Sequence, residues 1–499
     1  MRGKQIILDM LFLSLFIGIF FSLFAGSFPF ALQDEERYLE IAREMLASGN
    51  YITPHLNGST FLDKPILFYW IEAFLIRCFG LHPWSTRLLP EFFGLLGCLF
   101  SYWSGVKLYN RRTGLLSALI LMTSLLYFGM SHYADMDLMI AVLISCSLWL
   151  FIVAANEPKN TGRRIYFILA YVFAGFGFLT KGLIALAFPA LIIGAWILYT
   201  KRWHILKEMH ITRGLIIIAL MIMPWIVMIQ YHNSYFLHYF FYVQQFSRYA
   251  GNQFTGHEPF FFYIPVILMG IFPWTFFLFQ SMTYFIKQIF KNVPDNNTEF
   301  YILVWPLLVL VFFSIPLSKT VGYIMPVFPP LAMMIARYFD VRWNLKFKKF
   351  FITVFLIGFI GEIIIITFTH AYPFKTNESL ALEIRHLMKP QDKVVCFEAY
   401  YRDIPLYLNQ NMYIVSHWNL SLPALDDWKT ELGENILYQH YQQPYLINRK
   451  QFVVLWHQPS RVFVLVNLKN VKELQQLVKA TIYKLGKAHQ VELISNKGS

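Results

Sequence analysis

Acidic side chains stand at the edges of long apolar runs, where charge is costly and therefore informative. Asp34 and Glu35 directly follow the first apolar run, and Asp135 and Asp137 precede a later one. A charge at the centre of a bilayer costs about 2.5–3.5 kcal/mol on insertion scales, so carboxylates held there commonly serve a function. They suit proton transfer or the orientation of a polar substrate. The competing interpretation is that Asp34 is the N-cap of a loop helix and that one of the later acids caps the following helix.

Cationic side chains stand at the same edges. Lys64 directly precedes Pro65 at a predicted helix start, where an ammonium and free backbone N–H groups together favour a phosphate. A contact between Lys64 and lipid headgroups is the alternative. Each further candidate is, taken singly, also typical of an interface anchor. Together with the acids, these residues indicate a site for an anionic, lipid-linked substrate. The further candidates are Lys181, Arg248, His257, Lys319 and Tyr323.

Apolar runs position these residues. The chain is 57% hydrophobic and only 14% charged, well below the quarter that is usual for soluble proteins. Eleven runs have the length of a membrane span, and alternative divisions of the shorter runs give eleven to thirteen. The runs lie near 7–29, 85–107, 113–131, 137–155, 165–180, 183–199, 212–231, 259–282, 300–316, 321–338 and 350–369.

Basic residues set the predicted orientation. Lys and Arg cluster in alternate loops, as at Arg111-Arg112 and Lys348-Lys349, and the positive-inside rule makes these loops cytoplasmic. The N-terminus is then cytoplasmic and the C-terminus periplasmic. The net charge of +13 follows from this topology, so a nucleic-acid partner is not expected.

Two polar regions are predicted outside the membrane. The loop 31–84 carries two amphipathic interfacial helices, Glu35–Leu46 and Pro65–Phe79. Residues 1–369 form the transmembrane domain, and 370–499 form a small periplasmic α/β domain. Helical patterns at 376–388 and 469–479 alternate there with β-like runs. The predicted strands are Lys393–Glu398, Met412–Ser416, Phe452–Trp456 and Val462–Val466.

The spacing of the acidic residues and of the cysteines leaves open whether the protein binds a metal. Asp135 and Asp137 form a D-x-D pattern that is compatible with metal binding but short. The cysteines have neither metal nor redox spacing, so we expect free thiols. The cysteines are Cys78, Cys98, Cys146 and Cys396.

An ordered set of motifs places the chain near a known family. The set resembles the lipid A aminoarabinose transferase (ArnT-type) branch of the protein mannosyltransferase superfamily, over nearly the whole chain. The matching motifs are Asp-Glu-x-Arg-Tyr at 34–38, the segment 49–58, Asp63-Lys64-Pro65, Tyr69-Trp70, Arg87-Leu88, 133–137, Thr180-Lys181-Gly182, Pro224-Trp225, 238–241, Pro273-Trp274, Val394–Tyr407 and Arg461–Leu465.

The resemblance implies a C-type glycosyltransferase fold in a bacterial inner membrane, with the active site on the periplasmic face. It implies a donor of undecaprenyl phosphate bearing a sugar such as 4-amino-4-deoxy-L-arabinose, and lipid A phosphate or another periplasmic acceptor. The reaction would be an inverting displacement at the anomeric carbon, a lipopolysaccharide modification of the kind linked to polymyxin resistance. Asp34 and Asp137 would be catalytic. The substrate-binding residues would be Glu35, Lys64, Lys181, Arg248, His257, Lys319 and Tyr323.

The chain departs from the family's usual residues at two places. Asp63 stands where the family has Glu, and Gln244-Gln245 stand where it often has Glu-His. Both positions are associated in the family with metal or carrier-phosphate contacts. No cofactor is certain, and a divalent ion (Zn, Mg or Mn) at Asp63 and His257 is the candidate metal site.

Two other functions compete with this hypothesis. A protein O-glycosyltransferase would share the fold and the donor class, with Asp34 as the base for a Ser or Thr hydroxyl. A flippase would move the lipid-linked sugar without chemistry. Transporters commonly show paired repeats and broken mid-membrane helices. Here the polar residues collect at one membrane face instead, which favours an enzyme.

Overall fold

The structure is a computed structural model that is mainly helical. It describes residues 2–23, 25–30, 33–247, 249, 256–291, 298–418, 427–439 and 443–498. The α-helices before the C-terminal region are Arg2–Ser22, Gln33–Ser48, Leu67–Phe79, Pro83–Leu108, Arg111–Met122, Leu125–Met130, Met136–Asn156, Thr161–Lys181, Ile184–Thr200, Ile205–Glu208, Ile211–His232, Tyr263–Gly270, Thr275–Lys291, Thr298–Ser314, Phe328–Val341 and Leu345–Ala371. A π-helix spans His238–Ser247 and a 3₁₀-helix spans Val321–Val327.

Every predicted apolar run overlaps a helix, although the first run, 7–29, extends beyond the end of its helix at Ser22. Among the described residues, six helices are long and apolar enough to cross a membrane, and one bent pair would make a seventh. Two further apolar helices, Ile184–Thr200 and Thr298–Ser314, are shorter. The chain is a multi-pass membrane protein.

Two of the predicted spans are broken. The run 113–131 divides into Arg111–Met122 and Leu125–Met130, because Thr123 and Ser124 turn their hydroxyls back onto the carbonyls of Leu119 and Ile120. The run 259–282 divides into two helices that meet at 107°, with Pro273 in the break. Proline removes a helical hydrogen bond, so a continuous span is not expected through it.

The helix Met136–Asn156 lies at the centre of the bundle. Its most apolar window is entirely buried, whereas that of Leu345–Ala371 is 22% buried and faces outward. A helix that is apolar on all sides is expected in a core position. Its Trp149 packs against Trp305, with 4.9 Å between ring centroids. This central helix carries Asp137 in its first turn, so the carboxylate has a rigid support.

The C-terminal region forms a six-stranded sheet with strand order β5-β4-β3-β6-β8-β7. Strands β5, β4, β3 and β6 are parallel, and β8 and β7 are antiparallel. The strands are β3 (Lys393–Phe397), β4 (Tyr413–Val415), β5 (Leu446–Ile447), β6 (Val462–Asn467), β7 (Tyr483–Ala488) and β8 (Val491–Ser495), and a short hairpin in the first loop supplies β1 (His55–Leu56) and β2 (Ser59–Thr60). The helices are Glu378–Leu387, Asp403–Leu408, Trp428–Gln439, Arg449–Trp456 and Val471–Val478, with a 3₁₀-turn at Leu468–Asn470.

One predicted strand is wrong. Phe452–Trp456 belongs to the helix Arg449–Trp456, which begins with a capping box between Asn448 and Gln451. The side chain of each of these two residues accepts a hydrogen bond from the other's backbone N–H. That reciprocal cap fixes a helix start just before the apolar residues.

The helix Gln33–Ser48, which we call the loop helix, differs from the expected surface helix. Its charged side is buried, because the C-terminal region covers it. Arg43 donates hydrogen bonds to Glu40 and to Asn411, at 2.7 and 2.5 Å. Asn57, in the hairpin that follows, exchanges two hydrogen bonds with the backbone of Met412. The second predicted interfacial helix is present as Leu67–Phe79.

Candidate active site

A cavity of about 340 Å³ lies where four loops, all predicted to be periplasmic, meet. Lys64 comes from the first loop, Lys181 from the end of a helix, and Tyr323 from the 3₁₀-helix. Most of the other side chains in the wall are aromatic or aliphatic. The other lining residues are Leu183, Ile184, Ala187, Phe241, Gln244, Gln245, Phe246, Tyr249, Phe312, Phe313, Pro316 and Ser318.

Asp137 and Lys181 form an ion pair beside this cavity. Both side chains are almost fully buried, and the Lys181 ammonium also lies 4.7 Å from the centroid of the Tyr323 ring. Asp135 is the N-cap of the central helix and accepts a hydrogen bond from the Met136 N–H at 2.5 Å. Of the two acids of the D-x-D pattern, one therefore caps the helix and the other meets a cation of the cavity.

Asp34 lies in the first turn of the loop helix, where it pairs with Arg37. Its side chain is 45% exposed. The Asp135 carboxyl lies within electrostatic range of Asp34, Asp137 and Lys181. That Asp34 and Asp137 act on one substrate stays a prediction.

Asp63 contacts two side chains of the π-helix His238–Ser247. It accepts hydrogen bonds from the Tyr239 hydroxyl at 2.7 Å and from the Gln244 amide at 2.9 Å. Among the residues that the structure describes, no three His, Cys, Asp or Glu side chains come together in a way that could hold a metal ion. His257 is exposed and makes a backbone bridge to Ser318. The divalent metal at Asp63 and His257 stays a prediction.

Glu35 has an anchoring position instead of the predicted substrate contact. Its fully buried carboxylate binds Arg87, with 3.0 and 3.1 Å between the paired atoms. Arg87 also donates to the carbonyls of Ala25 and Phe28. A buried ion pair needs such additional hydrogen bonds to offset its desolvation. The pair fixes Glu35, the residue directly after Asp34.

Lys319, another predicted substrate contact, does not line the cavity. The Lys319 ammonium donates to the backbone carbonyls of Glu258, at 2.8 Å, and of Pro316. This holds the segment near His257 against the cavity wall, so Lys319 supports the wall without lining it. Arg248 lies outside the described residues.

Gln244 and Gln245 are cavity residues that the sequence singled out only as departures from a family pattern. Gln244 also donates to the Tyr239 hydroxyl at 2.6 Å. The π-helix His238–Ser247 sets their direction, and π-helical turns are frequent at functional sites. The sequence analysis named Arg37 only as part of the motif at 34–38. The i, i+3 spacing of Asp34 and Arg37 on a helix would have predicted their ion pair.

Gly322 touches Asp137, and we expect Gly322→Ala to disturb the site. A methyl group there would lie 2.5 Å from Cγ and 2.8 Å from Cβ of Asp137. Because Cβ is fixed to the backbone, rotation of the carboxylate cannot relieve the overlap. We expect a loss of about 1–3 kcal/mol in stability, as is typical of overpacking. A thermal melt of the purified protein measures it.

Gly361→Ala is the matched control. Gly361 lies in the helix Leu345–Ala371, and apart from its own turn of helix no described residue comes within 4 Å of its added methyl group. Alanine is favoured over glycine in a helix, so the control should melt at the wild-type temperature or slightly above it. Equal melting temperatures of both variants would show that the 3₁₀-helix shifts to accept the methyl group without a loss of stability.

Comparison with known proteins shows which families and proteins the chain is similar to. Residues 27–240 match the dolichyl-phosphate-mannose-protein mannosyltransferase family. The undecaprenyl phosphate-α-4-amino-4-deoxy-L-arabinose arabinosyl transferase of Enterobacter sp. (strain 638) is 36% identical over 311 residues, which are 61% of this chain and 54% of that protein. The transferase of the same name from Aeromonas hydrophila is 30% identical over 358 residues, 71% of this chain and 64% of that protein.

The fold has a solved counterpart. ArnT from Cupriavidus metallidurans bound to undecaprenyl phosphate superposes with a TM-score of 0.84 at 20% identity, over 98% of each chain. The resemblance of the chain to the ArnT-type branch of the protein mannosyltransferase superfamily is confirmed by these relatives. Its aligned region spans little more than half the length of the first curated relatives. The C-type glycosyltransferase fold expected from the sequence is confirmed.

Proposed function

We propose that this protein transfers 4-amino-4-deoxy-L-arabinose, or a related sugar, from undecaprenyl phosphate to a phosphate of lipid A. The observation that carries the proposal is the cavity with Lys64 and Lys181 in an otherwise largely apolar wall, with the carboxylate of Asp137 paired to Lys181. Cations suit a carrier phosphate, and the apolar wall suits its prenyl chain. The names of the similar transferases supply the sugar and the carrier.

The two lysines explain how the carrier would leave. In the displacement, the bond between the anomeric carbon and the carrier phosphate breaks, and negative charge grows on that phosphate. Positive charge placed in advance at this point lowers the barrier, because it interacts more strongly with the transition state than with the donor. Lys181 is held by Asp137 and by the Tyr323 ring, so it needs little reorganisation.

The two carboxylates would handle the acceptor and the sugar. A lipid A phosphate is already ionised near neutral pH, so the attacking oxygen needs orientation more than a strong base. A carboxylate at Asp34 or Asp137 can accept hydrogen bonds from sugar hydroxyls and attract the ammonium of an amino sugar. With a hydroxyl acceptor, Asp34 would instead have to take up the proton.

We propose the bacterial inner membrane as the location, with the cavity on the periplasmic side. The alternating basic loops support this orientation. A reporter that is active only in the periplasm should be active when fused after Tyr372 and inactive when fused near Lys346. The reverse pattern at both positions would place the cavity on the cytoplasmic side.

The function is tested by mass spectrometry of lipid A from cells with and without the protein. We expect amino-sugar-modified lipid A only where the protein is present, together with higher resistance to polymyxin, because the added ammonium offsets phosphate charge. The purified protein in proteoliposomes is then given the lipid-linked sugar with lipid A or with a Ser/Thr peptide. Transfer to the peptide alone would identify a protein O-glycosyltransferase, and movement of the carrier without transfer would identify a flippase.

A further inference from the structure

A chain of charged side chains connects Asp34 to the C-terminal region. Arg37 pairs with Asp34 and donates to Glu431 at 2.8 Å. Glu431 also accepts from Arg402 at 2.5 Å. Glu431 lies 394 residues beyond Arg37, on the helix Trp428–Gln439, so the contact joins two distant parts of the sequence. We call this chain (Asp34, Arg37, Glu431 and Arg402) the carboxylate relay.

The two ends of the carboxylate relay differ in burial. The Glu431 side chain is 6% exposed and that of Arg402 is 12% exposed, whereas Asp34 at the other end is 45% exposed. Burial alone would raise the pKa of Glu431, but the guanidiniums of Arg37 and Arg402 hold it below its usual value. Glu431 is therefore an anion that binds Nη1 of Arg37, while Asp34 binds Nη2.

The docking of the C-terminal region does not depend on Glu431 alone. Arg43 bonds to Asn411, and Asn57 makes two hydrogen bonds with Met412. These contacts hold the region to the loop helix and its hairpin independently of the relay. A role for Glu431 beyond docking is thus open to experiment.

We propose that Glu431 is a positioning residue for the transfer reaction, acting through Arg37 on the carboxylate of Asp34. This inference rests on the proposed function. When Glu431 is charged, the Arg37 guanidinium binds both carboxylates. Because Glu431 holds this guanidinium in place, Arg37 in turn orients the carboxylate of Asp34. Without that charge, Arg37 turns fully to Asp34 and displaces its oxygens from the acceptor. Displacements of about 1 Å at a reacting group can cost on the order of 100-fold in rate.

The kinetic test compares Glu431→Gln with the matched variant Glu398→Gln in the full chain. Glu398 is also a carboxylate of the C-terminal region and binds Arg449 at 2.9 Å, but this pair does not reach the loop helix. In proteoliposomes with the lipid-linked amino sugar and lipid A, we expect Glu431→Gln to lower kcat roughly tenfold or more with little change in KM for the donor. Glu398→Gln should keep the wild-type kcat.

A double-mutant cycle separates positioning from folding. In the Arg37→Gln background, Glu431→Gln should cause no further loss, because its effect passes through Arg37. A further loss of the same size, or equal kcat values for Glu431→Gln and Glu398→Gln, would overturn the proposal. Absence of transfer by the wild-type protein would instead count against the proposed function.

Hydrogen exchange tests the relay without any substrate. Peptides that cover the start of the loop helix should exchange faster in Glu431→Gln than in the wild type, and at the wild-type rate in Glu398→Gln. Unchanged exchange in both variants would show that Glu431 does not hold Arg37, whatever the acceptor of the reaction.

Discussion

Asp34→Asn is expected to lose about 100-fold or more of sugar transfer while the protein stays folded. Asparagine keeps the size of the side chain but removes the charge and the basicity, and groups that orient or deprotonate a reactant contribute about 10²–10⁴-fold. The structural cost should be small. Asp34 is 45% exposed, and its pair with Arg37 is a partly exposed ion pair of the kind that contributes at most about 1 kcal/mol. Initial rates and a thermal melt measure both effects.

The control for Asp34→Asn is Glu157→Gln. Glu157 pairs with Lys107 at 2.6 Å, is 27% exposed, and lies at the opposite end of the bundle from the cavity. Loss of this ion pair should leave transfer at the wild-type rate. If Asp34→Asn were as active as the control, the carboxylate of Asp34 would be no more than a partner of Arg37, and the catalytic role would pass to Asp137.

The arrangement of the loops was predictable from simple charge and hydropathy patterns. Each predicted span overlaps a helix, and four of the loops between basic clusters supply the residues of the cavity. Lys64, Lys181 and Tyr323 come together there because loops on one side of a membrane share a thin layer of space. The breaks at Ser124 and Pro273 were less visible, since hydropathy averages over a window and conceals a single turn.

Contacts between distant segments could not be read from the sequence. Glu431 stands in a polar stretch without a motif, and its pairing with Arg37 depends on how the C-terminal region docks. The same docking buries the charged side of the loop helix, which resembles a solvated face when only its own residues are considered. For Phe452–Trp456 the deciding signal is local instead. Its apolar residues suit a strand or a helix, and the cap at Asn448 favours the helix.

The roles of the acids follow from their surroundings more than from their spacing. Glu35 and Asp34 are neighbours, yet Glu35 is enclosed with Arg87 while Asp34 is accessible. Likewise Asp135 caps a helix and Asp137 meets Lys181. A pair of acids in a sequence therefore predicts a site. The burial and the partners of each acid then show which one anchors the structure and which one is available for chemistry.

Lys64→Ala is expected to reduce transfer by about 100- to 1,000-fold, the loss seen when a preorganised group that stabilises a developing negative charge is removed. Lys64 lines the cavity with Lys181, and it precedes the helix Leu67–Phe79 in the first loop. The charge on the carrier phosphate grows as the sugar departs, so kcat should fall more than the affinity for undecaprenyl phosphate. Turnover at saturating donor, and binding of undecaprenyl phosphate alone, measure the two quantities separately.

Two further variants make this prediction specific to charge at the cavity. Lys64→Arg keeps the charge, but the planar guanidinium is not interchangeable with an ammonium, so a partial recovery relative to Lys64→Ala is expected. Lys375→Ala removes an exposed lysine near the end of the last membrane helix and should retain wild-type turnover. Normal turnover in Lys64→Ala would mean that Lys64 contacts only lipid headgroups, and the leaving phosphate would then depend on Lys181 within its pair with Asp137.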